Sequence, residues 1–293
     1  MTIPSRGYNP ENDLNLVLAF LAQTHFETGT LRNWFPTRFE NSHDQHVDDI
    51  RIWEDQGSIV AVANPEEPFV YYIQVKPEYS HLEAEIIPWI VSHSKTKKTG
   101  NTQTLTVVSL EENTEREQLL SCQGFTKSGT AGYIRLRPKD AQIQEPLLPD
   151  GFNFRAIHGR EDYDRLAASV RKIFGHGDWF TGDIIESIRS CSFSIPELDI
   201  IIETPDGDIA AFCTFRVDPN SRIAELEPLA TDPDYRKLGL AKAILLEGLK
   251  RLQKHTPTLT HIGGAADNPG ANRLYDSAGF TEKHRWEKWS KEI

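Results

Sequence analysis

The segment Asp234-Tyr235-Arg236-Lys237-Leu238-Gly239-Leu240-Ala241 joins a predicted strand, Ile223 to Ala230, to a predicted helix, Ala241 to Lys254. The first four N–H groups of a helix have no intrahelical partner and lie at the positive end of its dipole. Gly239 lets a phosphate approach the backbone because it has no Cβ. The pair Arg236-Lys237 adds positive charge beside it. The segment therefore predicts a pyrophosphate-binding turn, although it contains neither a Walker loop nor a G-x-G-x-x-G motif.

A second segment, Asn268 to Phe280, lies about thirty residues further along the chain. Together the two segments resemble the GNAT superfamily of N-acetyltransferases. The first matches the signature Q/R-x-x-G-x-G/A through Arg236, Gly239 and Ala241. The second matches N-x-x-A-x-x-L-Y-x-x-x-G-F at every fixed position. The resemblance is strong over about half of the chain, from Gly151 to the C-terminus.

The chain also contains an internal repeat. Displacing the sequence by 155 residues aligns Asn113 to Phe125 with Asn268 to Phe280. A displacement of 156 residues aligns Pro77 to Glu83 with Pro233 to Gly239. Because both alignments keep the same order of predicted strands and helices, the sequence indicates a duplication.

The first copy has lost the residues that would carry chemistry. Ser80, His81, Glu83 and Leu120 stand where the second copy has Arg236, Lys237, Gly239 and Tyr275. A carboxylate repels a pyrophosphate, and a Cβ blocks the close approach of the backbone. Pro88 is also expected to kink or restart the first copy's helix. We therefore predict a degenerate, non-catalytic domain over 1–140 and a catalytic domain over 141–293, with a proline-containing linker from Arg137 to Asp150.

The resemblance implies an α/β (α+β) fold of two tandem GNAT domains, each with a mixed, mostly antiparallel central sheet flanked by helices. In the second copy the predicted helices are 161–174, 183–191 and 241–254, and the predicted strands are 152–157, 198–203, 209–217, 223–230, 259–264 and 285–290. In the first copy a helix is predicted at 13–22 and strands at 69–75 and 104–110.

The resemblance further implies acetyl-CoA as co-substrate and assigns its binding residues. Backbone groups of Leu229, Ala230 and Thr231 would pair with the pantetheine arm. Backbone N–H groups of Lys237, Leu238, Gly239, Leu240, Ala241 and Lys242 would bind the pyrophosphate. Tyr275 matches the general acid that protonates the coenzyme A sulfur. Asn268 matches the position that supports the pantetheine arm or caps the last helix, and asparagine is a strong N-cap.

The general base is less clearly marked. Glu225 and Glu227 alternate with apolar residues, so both are expected on one face of the central strand. Glu227 is the better candidate by resemblance, with solvated surface glutamates as the alternative. A further alternative is the loop that contains His176 and Asp178, which lies where the family builds its acceptor site. No cysteine stands in a nucleophile arrangement, which favours direct attack in a ternary complex.

Composition and net charge limit the classes of partner and the cellular location that the sequence predicts. The net charge of −11 comes with no basic segment, which argues against a nucleic-acid partner and suits a cationic acceptor. The three cysteines are odd in number and form no C-x-x-C pair, so the sequence predicts neither a disulfide framework nor a metal site. The sequence predicts a cytoplasmic protein without a membrane anchor, a monomer or homodimer, acting on an unidentified amine. The alternative function is a catalytically silent acyl-CoA-binding sensor or scaffold.

Overall fold

The computed structural model describes residues 3–28, 34–111, 113–264 and 268–293. The chain divides into two compact units, Met1–Ile134 with His284–Ile293, and Arg135–Lys283. None of the helices in the described ranges has the length and apolar character needed to cross a membrane.

The first unit has a seven-stranded sheet and four helices within its described residues. Its elements in chain order are β1 (Ser5–Gly7), α1 (Pro10–Thr28), α2 (Pro36–Ser42), β2 (Arg51–Asp55), β3 (Ser58–Glu67), β4 (Val70–Val75), α3 (Glu83–Lys97), β5 (Thr104–Leu110), α4 (Thr114–Cys122) and β6 (Thr126–Arg137). The strand order is β1-β2-β3-β4-β5-β12-β6, where β12 is the last strand of the chain. Strands β4 and β5 are parallel, and the other neighbours among β1 to β5 are antiparallel.

The second unit repeats this order of elements. They are β7 (Asn153–Ala156), α5 (Gly159–Phe174), α6 (Gly182–Ser190), β8 (Asp199–Glu203), β9 (Ile209–Val217), β10 (Ile223–Thr231), α7 (Leu240–Leu252), β11 (Leu259–Gly264) and α8 (Pro269–Ser277). The last strand in the order, β12 (Glu282–Glu292), lies mostly in the first unit. The strand order is β7-β8-β9-β10-β11. The predicted fold class and tandem repeat are confirmed.

A polar triad at the start of the first helix occurs in both units. The triads are Arg6, Asp13 and Glu54 in the first unit, and Arg155, Asp162 and Glu203 in the second. In each, the arginine binds the aspartate at 2.6 Å, and it binds the glutamate at 2.7 Å in the first triad and 2.8 Å in the second. The aspartates also accept a backbone N–H at 2.7 Å, from Asn9 and from His158 respectively. This shared geometry supports duplication independently of the sequence motifs.

Strand β12 contains the predicted strand 285–290, but its partner was not predicted. It pairs antiparallel with β5, from Trp286 opposite Leu110 to Glu292 opposite Thr104. The Trp286 ring also packs on the first unit's aromatic core, with its centroid 5.4 Å from that of Tyr72. Burial of this large ring provides a physical reason for the last strand to belong to the first unit.

Helix α3 does not restart at its proline. It runs without a break from Glu83 to Lys97 with Pro88 inside it. Proline at the sixth helical position removes only one early hydrogen bond. The neighbouring apolar residues Ile86, Ile87 and Ile90 are fully buried. Their packing stabilises the helix despite the proline, so it does not restart at Pro88, and the alternative expectation of a kink stays a prediction.

Candidate active site

The turn before α7 has the backbone conformation that a glycine permits. Gly239 is the N-cap of α7, with φ 80° and ψ 2°, and a Cβ built on it would meet no atom within 4 Å. Lys237 is also left-handed, with φ 67°. Among the described residues, the N–H groups of 237–241 donate no backbone hydrogen bond. Lys242 differs, because its N–H already donates to the Gly239 carbonyl at 3.1 Å.

An ion pair holds the beginning of this turn. Lys172, on α5, lies 2.8 Å from Asp232 and 2.6 Å from Asp234. This contact lowers the pKa of Asp234 below its ordinary value. Asp232 also accepts the backbone N–H of Asp234 at 3.0 Å. Sequence reasoning missed Lys172, because a lysine on an amphipathic helix carries no motif.

Strands β10 and β11 pair over only part of their length. Their parallel register covers three pairs and ends where Glu225 lies opposite His261. Strand β10 continues to Thr231, and the remaining described residues of the two strands form no further pair. The Thr231 hydroxyl is enclosed and has no hydrogen-bond partner among the described residues. The strands therefore open at the end of β10 that leads into the turn, beside Leu229, Ala230 and Thr231.

A bulge in β10 lies at the start of this opening. Against β9, Leu226 pairs with Phe215 and Leu229 pairs with Cys213, so β10 has one extra residue between them. Bulges re-aim side chains and occur frequently beside active sites. Glu227, which is half-buried, falls inside the bulge. The expectation that Glu225 and Glu227 share a face depended on strict alternation of side chains along β10. The bulge interrupts this alternation between the two glutamates.

Tyr275 lies on α8 and is buried, with 7% of its surface exposed. Desolvation and, to a lesser extent, the negative charge of Glu227 raise its pKa to about 12, against a smaller opposing effect of Arg135. The Arg135 guanidinium carbon lies 6.0 Å from the centre of the Tyr275 ring. Tyr275 is therefore a protonated phenol at neutral pH, close enough to Glu227 to be influenced by its charge.

Arg135 is a site-adjacent residue that sequence reasoning did not identify. Its side chain is 2% exposed and donates to Asp276 at 2.8 Å and to Asn272, both on α8. It comes from the end of β6, far from the two motifs in sequence. The alternation Arg135-Leu136-Arg137 at the end of a strand was the available signal, and it has no specific chemical meaning without the fold.

Asn268 caps α8. Its side-chain oxygen accepts the Ala271 N–H at 3.0 Å, and Asn113 accepts the Arg116 N–H at 3.2 Å in the first copy. The capping role expected for Asn268 is confirmed. A role towards pantetheine stays a prediction.

The loop after α5 is exposed and aromatic. The His176 ring stacks on Phe180, with centroids 5.2 Å apart, and lies 5.4 Å from Trp179. Phe174 contacts Phe212 of β9 at 6.3 Å between centroids. The loop therefore lies on the same face of the second unit's sheet as Phe212.

Comparison with known proteins agrees with this geometry. Residues 170–280 match the acetyltransferase (GNAT) family, and this range includes the turn, the strand opening and Tyr275. The matched range lies within the second unit.

Among its relatives is a mycothiol acetyltransferase of Arthrobacter sp. (strain FB24), 28% identical over 162 residues, which cover 53% of this chain and 49% of that protein. Another is a mycothiol acetyltransferase of Acidimicrobium ferrooxidans, 29% identical over 169 residues, which cover 55% of this chain and 54% of that protein. The alignments span about half the length of these curated relatives.

Solved structures extend the likeness in fold to the whole chain. A GCN5-related N-acetyltransferase of Sphaerobacter thermophilus has a TM-score of 0.73 at 18% identity, covering 99% of this chain and 97% of its own. A tandem GNAT protein from the clavulanic acid biosynthesis pathway has a TM-score of 0.70 at 16% identity, covering 99% and 98%. The tandem GNAT fold therefore applies to both units.

Proposed function

We propose that the second unit transfers an acetyl group from acetyl-CoA to a primary amine, by direct attack in a ternary complex. The main observation in support of this proposal is the opening between β10 and β11. It leaves the backbone of Leu229, Ala230 and Thr231 available to a strand-like ligand, and the amide-bearing pantetheine arm has that character. The relatives named mycothiol acetyltransferases support acetyl transfer.

The turn supports binding of the coenzyme's pyrophosphate. The N–H groups of 237–241 donate no backbone hydrogen bond within the described chain, and they precede or begin a helix whose dipole favours an anion. Arg236 and Lys237 contribute positive charge. The open space around Gly239 lets phosphate oxygens approach the main chain.

In the proposed reaction the amine nitrogen attacks the thioester carbonyl carbon and forms the new C–N bond. Glu227 accepts a proton from the nitrogen, directly or through water. Collapse of the tetrahedral intermediate breaks the C–S bond, and Tyr275 donates its phenolic proton to the departing sulfur. One proton leaves nitrogen and one reaches sulfur, so the products are the amide and free coenzyme A. The raised pKa of Tyr275 supports its assignment as the donor.

Direct attack is supported by the state of the cysteine in the second unit's core. Cys213 is fully buried, and burial raises the pKa of its thiol far above the ordinary value. Its sulfur donates to the Ile244 carbonyl at 3.5 Å. A buried neutral thiol is a poor nucleophile, so an acetyl-cysteine intermediate at Cys213 has no chemical support.

The test is release of free thiol from acetyl-CoA across a panel of amines, with coenzyme A binding measured in parallel. Turnover with at least one amine supports the transferase. Tight coenzyme A binding without turnover of any amine in a broad panel would instead favour the acyl-CoA sensor. A double-reciprocal analysis with intersecting lines supports the ternary complex, whereas parallel lines would indicate a covalent intermediate.

A further inference from the structure

Arg216, on β9 of the second unit, is a buried arginine without the usual partners. Its residue surface is only 7% exposed, and its Nε atom is enclosed without an acceptor. Within the described chain it forms no hydrogen bond and no ion pair. Its guanidinium carbon lies 5.2 Å from the centre of the Phe193 ring, which is a cation–π contact.

Two other buried arginines of the same unit do form hydrogen bonds within the chain. Arg135 binds the Asp276 carboxylate, and Arg137 donates to the carbonyls of Ala141 and Ala278. A guanidinium has five N–H donors, so removing them from water without acceptors is unfavourable. Such an unsatisfied group in a native fold needs an explanation, and a water, an ion or a ligand that supplies an acceptor is one.

Two buried carboxylates belong to the surroundings of Arg216: Glu225, which lies directly opposite it on β10, and Asp199, which is already engaged. Asp199 accepts the Thr214 hydroxyl at 2.5 Å and is bonded by the Arg189 guanidinium. Burial raises the pKa of Asp199, and the positive charge of Arg216 acts in the opposite direction. Arg216 therefore contributes to the field around Asp199, while its Nε–H has no acceptor among the described residues.

Arg216 lies close to the point where the strands open. Its backbone pairs with Glu225, the last residue of β10 that pairs with β11. Neighbouring strands lie about 4.8 Å apart. By strand alternation, Arg216 is on the same face of β9 as Phe212, which contacts Phe174 at the base of the exposed aromatic loop. Phe212 pairs with Ala230 inside the opening, whereas Arg216 lies four residues along β9, at the closed end of the opening.

We propose that Arg216 binds a carboxylate of the acceptor, so that the acceptor is an amine that also carries a carboxylate, the class of amino acids. A planar guanidinium matches a carboxylate in a bidentate arrangement, and the buried setting strengthens that bond. Phe193 supports the guanidinium plane from one side. This inference rests on the proposed acetyl transfer and names the substrate class of that site.

The experiment compares amino acids with their carboxamides as acceptors, with rates expressed per unprotonated amine. We expect the wild-type protein to prefer the acid by roughly a hundredfold or more in kcat/KM, since a site built for a polar group rejects analogues without it. Arg216→Met should reduce this preference to within about threefold, and Arg216→Lys should retain part of it. Arg160→Met, which changes an exposed arginine of the same unit, is the matched control.

A binding measurement separates this inference from the proposed function. N-acetylated amino acids and their carboxamides are titrated calorimetrically into the protein with coenzyme A present. Binding of the acids alone, lost in Arg216→Met with coenzyme A affinity retained, supports the inference even if no amine is turned over. The inference would be overturned if turnover does not distinguish the acid from the amide, or if both bind equally or neither binds. It would also be overturned if Arg216→Met keeps the wild-type preference for the acid. Those results would assign an internal water to Arg216.

Discussion

The Glu83 carboxylate accepts two hydrogen bonds from the Arg116 guanidinium, one from Nε and one from Nη2, both at 2.7 Å. The side chains are 9% and 3% exposed, respectively. Glu83 is the first residue of α3, and it aligns with Gly239 of the second copy. The first copy thus has its own anion at the position where the second copy leaves open space.

A helix N-terminus favours a negative charge, whether it comes from a ligand or from the chain. In the first unit Glu83 supplies that charge, and Arg116 fixes its orientation. A pyrophosphate at the same place would meet a carboxylate and would have to displace a buried ion pair. This arrangement supports the proposal that the first copy does not bind coenzyme A.

The first prediction concerns stoichiometry. Calorimetric titration should show one coenzyme A per chain, because Glu83 occupies the equivalent position in the first unit. Gly239→Glu should abolish this binding by placing bulk and negative charge in the turn of the second unit. Gly239→Gln is the matched control, since it has the same size and the same strain at positive φ without the charge. Two sites of similar affinity in the wild type would contradict the assignment.

The second prediction concerns the stability of the first unit. Glu83→Gln leaves the Arg116 charge buried and unpaired, so we expect a loss of roughly 3–5 kcal/mol in the free energy of unfolding. Denaturant unfolding measures it, with the exposed Glu78→Gln as control. The double variant Glu83→Gln with Arg116→Met should recover much of the loss, because the unpaired charge is gone. An unchanged midpoint for Glu83→Gln would show that the pair contributes little.

Local patterns predicted the elements of the second unit well. Helix α5 and strands β9, β10 and β11 lie within two residues of the predicted ranges, because each has a clear hydrophobic period bounded by turn residues. The pairing of β12 with β5 could not be predicted in this way. Alternation identifies a strand but does not specify its neighbour, and Trp286 packs against residues distant in sequence.

The site was predictable only where it depends on motifs. Gly239, Asn268 and Tyr275 belong to recognisable patterns, and the structure gives Gly239 a left-handed conformation and Asn268 a capping role. Arg135 and Lys172 belong to no pattern, since their roles arise from side chains that meet in the folded unit.

The third prediction separates binding from chemistry. Tyr275→Phe removes a hydroxyl with almost no change in volume, so coenzyme A affinity should change little. The rate of acetyl transfer should fall by roughly two to four orders of magnitude, the range for a lost proton-transfer group. Because the pKa of Tyr275 is raised to about 12, the wild-type phenol keeps its proton throughout pH 7–10, and no alkaline loss of rate should arise from it. An undiminished rate in Tyr275→Phe would assign the donor to water or to another group.

The last prediction concerns the general base. The attacking amine is mostly protonated at neutral pH, since an ordinary alkylamine has a pKa near ~10.4. If Glu227 accepts its proton, wild-type kcat/KM should rise with pH as that carboxyl ionises. Glu227→Gln keeps the shape but accepts no proton, so this limb should disappear and the residual rate should increase only as free amine forms at high pH.

Glu225→Gln is the control for this test, because Glu225 is fully buried and lies before the bulge, in the part of β10 that pairs with β11. Its pH profile should keep the ascending limb of the wild type. If Glu227→Gln also keeps that limb, Glu227 is not the base. The exposed loop with His176 would then be the next candidate, and His176→Gln should remove the limb, because glutamine cannot accept the proton.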